Sequence, residues 1–188
     1  MAPSQRSPIV YRHDGVRNVH EVRWGLVPSW AKDTKIGFKT NARAETVATA
    51  PSFRAAFKSR RCLVPVSGFF EWTGPKSARQ PHYITMADGQ IMTFAGLWET
   101  WHDKGADRAL LSFTIITTAA NAFMAKLHNR MPVILDPEDL GKWLDPSAVD
   151  GRELLKPCAD EWLAAYPVST HVNKPANNDA RCIERIAV

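Results

Sequence analysis

Four stretches decide the fold class: CLVPVSGFFEW (62–72), HYITMA (82–87), MTFAGLWETW (92–101) and LLSFTIITT (110–118). Each is rich in β-branched and aromatic residues, and turn-forming runs at 73–79, 88–89 and 103–107 separate them. They read as four strands. The first is bulged or at a sheet edge, because Pro65 has no N–H to give to a ladder. Upstream, SPIVYRH (7–13) and NVHEVRW (18–24) flank Asp14-Gly15, a dipeptide suited to a two-residue hairpin turn. GLVPSWAKD (25–33) then leaves the sheet as a loop carrying Trp30, and IGFKTNARAET (36–46) is polar and irregular. Helices are expected at 52–58 with Ser52 as N-cap, at 120–127, from Asp136-Pro137 through Leu144, and near 147–155. Short strands are expected at 131–135 and 166–170. Clustered strands with interspersed helices, and no regular βαβ alternation, predict an α+β fold with a mostly antiparallel sheet.

The 188 residues suit one domain, and no repeat, low-complexity tract or Gly/Ser linker divides residues 1–188. A chain of this length buries roughly 70% of its unfolded surface, so its core needs neither disulfides nor a structural metal. Hydrophobic residues at 45% and charged residues at 23% exclude a disordered or coiled-coil chain. No apolar run approaches the length of a membrane span, and MAPSQRSPIV lacks the apolar centre of a signal peptide. A cytoplasmic protein without membrane partners is therefore expected. Cys62, Cys158 and Cys182 are far apart, with no C-x-x-C pair or zinc-like Cys/His spacing, so no metal or other cofactor is expected.

Charge is unevenly divided. Residues 1–80 carry 14 Lys and Arg against 5 Asp and Glu, a balance of +9; residues 81–188 carry 10 against 14, a balance of −4. Such a basic half fits a polyanion-binding face, and equally a solvated charged surface. Seven tryptophans against three tyrosines fit base stacking in single-stranded nucleic acid, although tryptophans more often fill cores.

No G-x-G-x-x-G, Walker loop, H-E-x-x-H or G-x-S-x-G occurs. Glu71 lies inside a hydrophobic strand, after Phe69-Phe70 and before Trp72. Its carboxylate either faces solvent on an alternating strand or is desolvated, with a raised pKa suited to proton transfer. His128, beside Arg130 at a helix end, is a structural histidine or a catalytic one. Asn41, Arg43 and Glu45 alternate in a segment that by itself reads as a polar loop.

Taken in order, RWGLVPSW (23–30), NARAET (41–46), RRCLVPVSGFFEW (60–72), FAGLWE (94–99) and the pair TAAN (118–121) and LHNRMPVIL (127–135) resemble the SRAP family, the SOS-response-associated peptidase-like proteins. The resemblance implies an α+β SRAP-type fold, a mostly antiparallel twisted sheet or barrel-like core with short helices. It also implies a basic groove for single-stranded DNA containing abasic sites. In the family pattern an N-terminal cysteine, exposed by removal of the initiator methionine, attacks the ring-opened abasic aldehyde and closes a thiazolidine crosslink. By the same resemblance Asn41 orients the N-terminal residue, Glu71 shuttles protons during amine attack and imine formation, and His128 assists sugar opening. Arg43 and Arg130 bind phosphates, Trp30 and Trp72 shape the groove, and Thr117 lines it.

The family pattern opens Met-Cys-Gly-Arg and reaches an Asn-x-Ala-Pro segment a few dozen residues later. The opening Met1-Ala2-Pro3-Ser4 is similar to that later segment, so the nucleophilic cysteine is expected to be absent from this numbering. No internal cysteine replaces it, since a thiazolidine needs thiol and α-amine on one residue. Two rival readings remain: a peptidase or hydrolase using Glu71 and His128, and a single-stranded DNA-binding module without chemistry.

Overall fold

The computed structural model describes residues 1–34, 39–103, 105 and 108–187. β1 (Arg6–His13) and β2 (Val16–Trp24) form the expected hairpin in full register from Arg6↔Arg23 to His13↔Val16. Asp14 and Gly15 both take positive φ, 50° and 80°, which gives the turn the twist its strands need. β4 (Arg61–Val66), β7 (Met92–His102) and β8 (Ala109–Ala119) continue the sheet in the order β2-β1-β4-β7-β8, every pair antiparallel. A parallel contact of Arg23↔Ser112 and Trp24↔Phe113 joins β2 to β8 and closes five strands into a barrel. The amide of Gly25 donates to the Phe113 carbonyl at 2.8 Å, and that of Val27 to Ser112 Oγ at 3.0 Å, extending the closure past the strand.

The central strands are buried on both faces, which explains their continuous apolar runs. One face of β4, β7 and β8 gives Cys62, Val64, Phe94, Phe113 and Ile115 to a core shared with Ile9 and Val22 of the hairpin. The other face gives Leu63, Ala95, Leu97 and Ile116 to a second core. α1 (Arg54–Ser59) and α2 (Leu140–Leu144) cover that second core with Phe57 and Trp143, the latter donating Nε1–H to the Cys62 carbonyl at 2.9 Å. Gly96 sits where a Cβ would come within 2.9 Å of Cys62 Sγ and Val64 Cγ2, so only glycine lets these strands approach as they do.

The 62–72 stretch, read as one strand, is two. It breaks at Ser67-Gly68, and β5 (Phe69–Thr73) enters a second sheet of order β10-β6-β5 with β6 (Gln80–Met86) and β10 (Leu163–Pro167). A Cβ at Gly68 would lie 2.5 Å from both the Ile84 carbonyl and the Tyr83 ring, so the crossing needs glycine. Pro65 pairs with Thr93 of β7, while β1 reaches only Cys62 and Leu63, so its missing N–H falls on the unpaired side.

Several expected helices shrink. The 120–127 stretch holds only a 3₁₀ turn at Met124–Lys126, because the Asn121 side chain takes the Met124 amide at 2.8 Å and ties to the Cys158 carbonyl at 3.1 Å. The 147–155 stretch holds a 3₁₀ turn at Gly151–Leu154 capped by Asp150. Ser52 caps nothing, since the first helix begins after Phe53 with no side-chain cap. The last strand ends at Pro167 and begins earlier than expected, at Leu163. Asp136 caps its 3₁₀ turn as expected, accepting the Glu138 amide, and the turn runs on into α2. Residues 36–38, most of the 103–107 turn and Val188 lie outside the described residues.

Candidate functional site

β8 is the strand on which the site hangs. β3 (Asn41–Arg43), not foreseen as a strand, lies parallel to it with Asn41↔Ile115, Ala42↔Ile116 and Arg43↔Thr117. Side chains alternate across a strand. Asn41, Arg43, Ile115 and Thr117 therefore share a face that opens to a cleft, while Ala42 and Ile116 point into the second core. On the other side, β9 (Arg130–Pro132) pairs antiparallel with the end of β8, placing Pro132 opposite Thr117 and Arg130 opposite Ala119. The cleft measures about 1460 Å³ and is bounded across from β3 by β5, the free edge of the second sheet.

That arrangement brings seven of the eight sequence-predicted residues, Asn41, Arg43, Glu71, Trp72, Thr117, His128 and Arg130, into one concavity. Trp30 is the exception. It is 57% exposed on the loop after β2 and donates Nε1–H to the Pro51 carbonyl at 3.3 Å, away from the cleft lining. The tryptophan that does line the cleft from this segment is Trp24, anchored by Nε1–H to the Thr40 carbonyl at 2.8 Å. Trp72 lines it too, tied to Asn173 Oδ1 at 2.8 Å. That bond draws the segment 170–183 in as a further wall, which the sequence reading did not anticipate.

Glu71 and His128 face each other, Oε1 to Nδ1 at 3.8 Å, with side chains 23% and 44% exposed. Burial raises the Glu71 pKa above the ordinary carboxylate value, opposed by the charge of His128 and a hydrogen bond from the Trp72 backbone. The separation is too long for a direct strong hydrogen bond. His128 Nδ1 also lies 3.1 Å from both the amide nitrogen and the carbonyl oxygen of Arg130. Neutral at Nδ1, the ring accepts the Arg130 N–H; protonated there, it donates to the carbonyl. The peptide of residue 130 thus supports either state, and Nε2 is the ring nitrogen left for a ligand.

Arg130 itself is not a free cation. Its guanidinium grips Glu45 with both arms, Nη1 to Oε1 at 2.5 Å and Nη2 to Oε2 at 3.0 Å, and Nη2 reaches the Thr117 carbonyl at 2.6 Å. That grip, more than any other contact, holds the Glu45 carboxyl below its usual range, and Arg43 adds to it through its charge. Glu45 was visible only as the third member of an alternating polar triplet; its partner 85 residues away was not. The Arg43 guanidinium makes no hydrogen bond or ion pair within 4 Å to the described residues, so it is the better-placed cation for a phosphate; its backbone carbonyl accepts from the Thr46 and Val47 amides at 3.1 and 2.9 Å.

Two of the thiols are inert. Burial drives the Cys62 pKa well above its ordinary value and that of Cys158 up to about 11. Cys182 lies at the edge of the cleft.

The family model of SOS response associated peptidase (SRAP) matches residues 1–175. The chain belongs to the SRAP family. Its SRAP relatives include "Abasic site processing protein YoqW" of Bacillus subtilis, 41% identical over 190 residues that cover 98% of this chain and 84% of that protein. "Abasic site processing protein HMCES" of Xenopus tropicalis is 35% identical over 189 residues, covering 88% of this chain and 56% of that one. A crystal structure of a protein from Bacteroides thetaiotaomicron superposes with a TM-score of 0.90 at 34% identity, covering 98% of this chain and 82% of the other. The SRAP fold expected from the sequence is therefore the fold observed. No helix among the described residues is long and apolar enough to cross a membrane.

Proposed function

We propose that this SRAP chain binds DNA at abasic sites, with the damaged strand single-stranded as it passes through the cleft. The observation that carries this reading is the convergence of Asn41 and Arg43, Glu71 and Trp72, and Thr117, His128 and Arg130, from three distant parts of the chain, on one concavity. There an unpaired Arg43 guanidinium and two tryptophans stand beside a carboxylate–imidazole pair. A flexible strand suits a concave site whose aromatic walls are Trp24 and Trp72, because every exposed base offers a face for stacking. A duplex would have to unstack first.

At the lesion, the ring-opened sugar presents an aldehyde at C1′. Glu71, whose pKa burial raises, donates a proton to the departing hydroxyl as an amine adds and water is lost. His128 Nε2 is placed to protonate the sugar oxygen as the ring opens. Asn41, on the same face as Arg43, is placed to hold the attacking group. The thiol and α-amine of the thiazolidine belong, in the family pattern, to an N-terminal cysteine. None of Cys62, Cys158 and Cys182 carries an α-amine, and the first two are inert. The covalent step rests on that residue; binding does not.

The test is equilibrium anisotropy with four labelled oligonucleotides: single- and double-stranded, each with and without one abasic site. The damaged single strand is expected to bind tightest. With roughly 3–5 phosphates neutralised, log K should fall against log salt with a slope of about −2 to −4. Equal affinity for all four, or affinity indifferent to salt, would overturn the proposal.

A further inference from the structure

The wall formed by 170–183 carries a cluster that the reading above does not use. Two 3₁₀ turns, Thr170–Asn173 and Ala180–Cys182, fold against each other and bring together His171, Asp179 and Cys182. His171 Nε2 lies 3.2 Å from Asp179 Oδ2, and a ring nitrogen of His171, a carboxylate oxygen of Asp179 and Cys182 Sγ all lie within 4.8 Å of one another. In tetrahedral zinc coordination, with bonds of about 2.0–2.1 Å to N or O and about 2.3 Å to S, neighbouring ligand atoms stand about 3.3–3.6 Å apart. At 3.2 Å the His–Asp edge is close to that length, and the sulfur needs a shift of at most about 1.5 Å to complete the face. A His–Asp pair alone would be an ordinary hydrogen bond; the thiol at the third corner is what makes a metal-binding triangle.

We propose that His171, Asp179 and Cys182 bind a divalent transition ion of the zinc class. The spacing H-x₇-D-x₂-C matches no familiar zinc pattern, so the site shows only once the chain is folded. Imidazole, carboxylate and thiolate together suit zinc or cobalt over magnesium or calcium, which prefer all-oxygen sites. The surroundings can support the ligands. Asp179 Oδ1 is held by the Arg181 backbone amide at 3.0 Å and by Arg181 Nε at 3.1 Å, which leaves Oδ2 pointing at the ring. Oδ2 also accepts from Arg181 Nη2 at 2.8 Å, a contact the ion would loosen while the two on Oδ1 remain.

The proton balance is simple. Asn177 Nδ2 sits 3.1 Å from His171 Nδ1 and donates to the His171 carbonyl at 2.6 Å. On metal binding the ring keeps its one proton but carries it on Nδ1, and the Asn177 amide turns its oxygen to accept it, giving up the bond to the carbonyl. The Cys182 thiol, now directed at the Asn177 carbonyl at 3.6 Å, loses its proton to solvent. One ion binds and one proton leaves. Three protein ligands leave a fourth corner for water, on the side where Asp179 and Cys182 line the cleft. The ion would pin the 170–183 wall, independently of any DNA.

The test uses the purified chain, stripped with chelator and titrated with cobalt(II) alone. A thiolate-to-cobalt charge-transfer band should grow to one equivalent and vanish when zinc is added. Cys182→Ser should abolish the band, His171→Gln should weaken cobalt binding at least about tenfold, and Cys158→Ser should leave it intact. As a readout that needs no variant, zinc at a hundredfold excess over Kd should raise Tm by ~5–10 °C. A wild-type chain with no band and no zinc-dependent Tm, or a band that survives Cys182→Ser, would overturn the proposal and leave the cluster as a hydrogen-bonded lock.

Discussion

Glu45→Gln isolates what the Arg130–Glu45 pair does. In the structure the Glu45 carboxylate neutralises Arg130 through two hydrogen bonds at 2.5 and 3.0 Å. Its own side chain is 53% exposed, so the pair contributes at most about 1 kcal/mol to folding. Losing it should lower Tm by only ~2–4 °C in a chain of this size. Binding should move the other way. Glutamine keeps one acceptor for Arg130 but no charge, so the guanidinium becomes an uncompensated cation beside Arg43. One added phosphate contact on a single strand steepens the log K against log salt slope by about 0.7. That amounts to about fivefold tighter binding at 0.1 M salt and about twofold at 0.3 M. Anisotropy with an abasic single strand over that salt range reads both numbers, and a thermal melt reads the stability cost. Weaker binding at every salt, or an unchanged slope, would refute the idea that Glu45 holds Arg130 back from phosphate.

Arg43→Ala should weaken binding about fivefold at 0.1 M salt and flatten the slope by about 0.7, whereas Arg130→Ala should flatten it less, since that charge is already neutralised. Glu71→Gln should raise Tm at pH 8 and leave it unchanged near pH 4. Burial raises the Glu71 pKa, so its contribution to stability is present at low pH and is lost as the group ionises, and glutamine never ionises. An equal Tm change at both pH values would contradict this. Gly68→Ala should cost about 1–3 kcal/mol, read by denaturant unfolding, because its Cβ would press on the Ile84 carbonyl and the Tyr83 ring. An alanine variant of wild-type stability would mean that the β4–β5 junction relaxes freely.

The hairpin, the two long barrel strands β7 and β8 and the Asp136 cap were legible because local chemistry specifies them: two positive-φ turn residues, long apolar runs, an aspartate before proline. β3 was not. Three residues of mixed polarity carry no period, and only the exposed edge of β8 makes them a strand. The 62–72 stretch looked continuous because Gly68 reads as a tolerated glycine until Tyr83 is seen to fill the space of its side chain. The same limit applies to the site. Family motifs named its residues, and the structure places most of them together. The Arg130–Glu45 pair joins positions 85 apart and leaves no trace in either segment. Trp30 and Trp24 differ only in where the chain leaves the barrel, and Gly25, with φ of 120°, sets that point.

β8 is paired with β2, β3, β7 and β9, more neighbours than any other strand. Amide exchange should therefore sort the cleft into two kinds of wall. The N–H groups of Ile115 and Val133, bonded to Thr40 and Ile116 across this strand, should exchange only when the whole barrel unfolds. Those of β5, at a sheet edge, and of the 3₁₀ turns beyond Pro167 should exchange through small local openings. One side of the cleft is then as durable as the fold itself. The other can breathe on its own, and a DNA strand can be admitted from that side without any cost to the barrel.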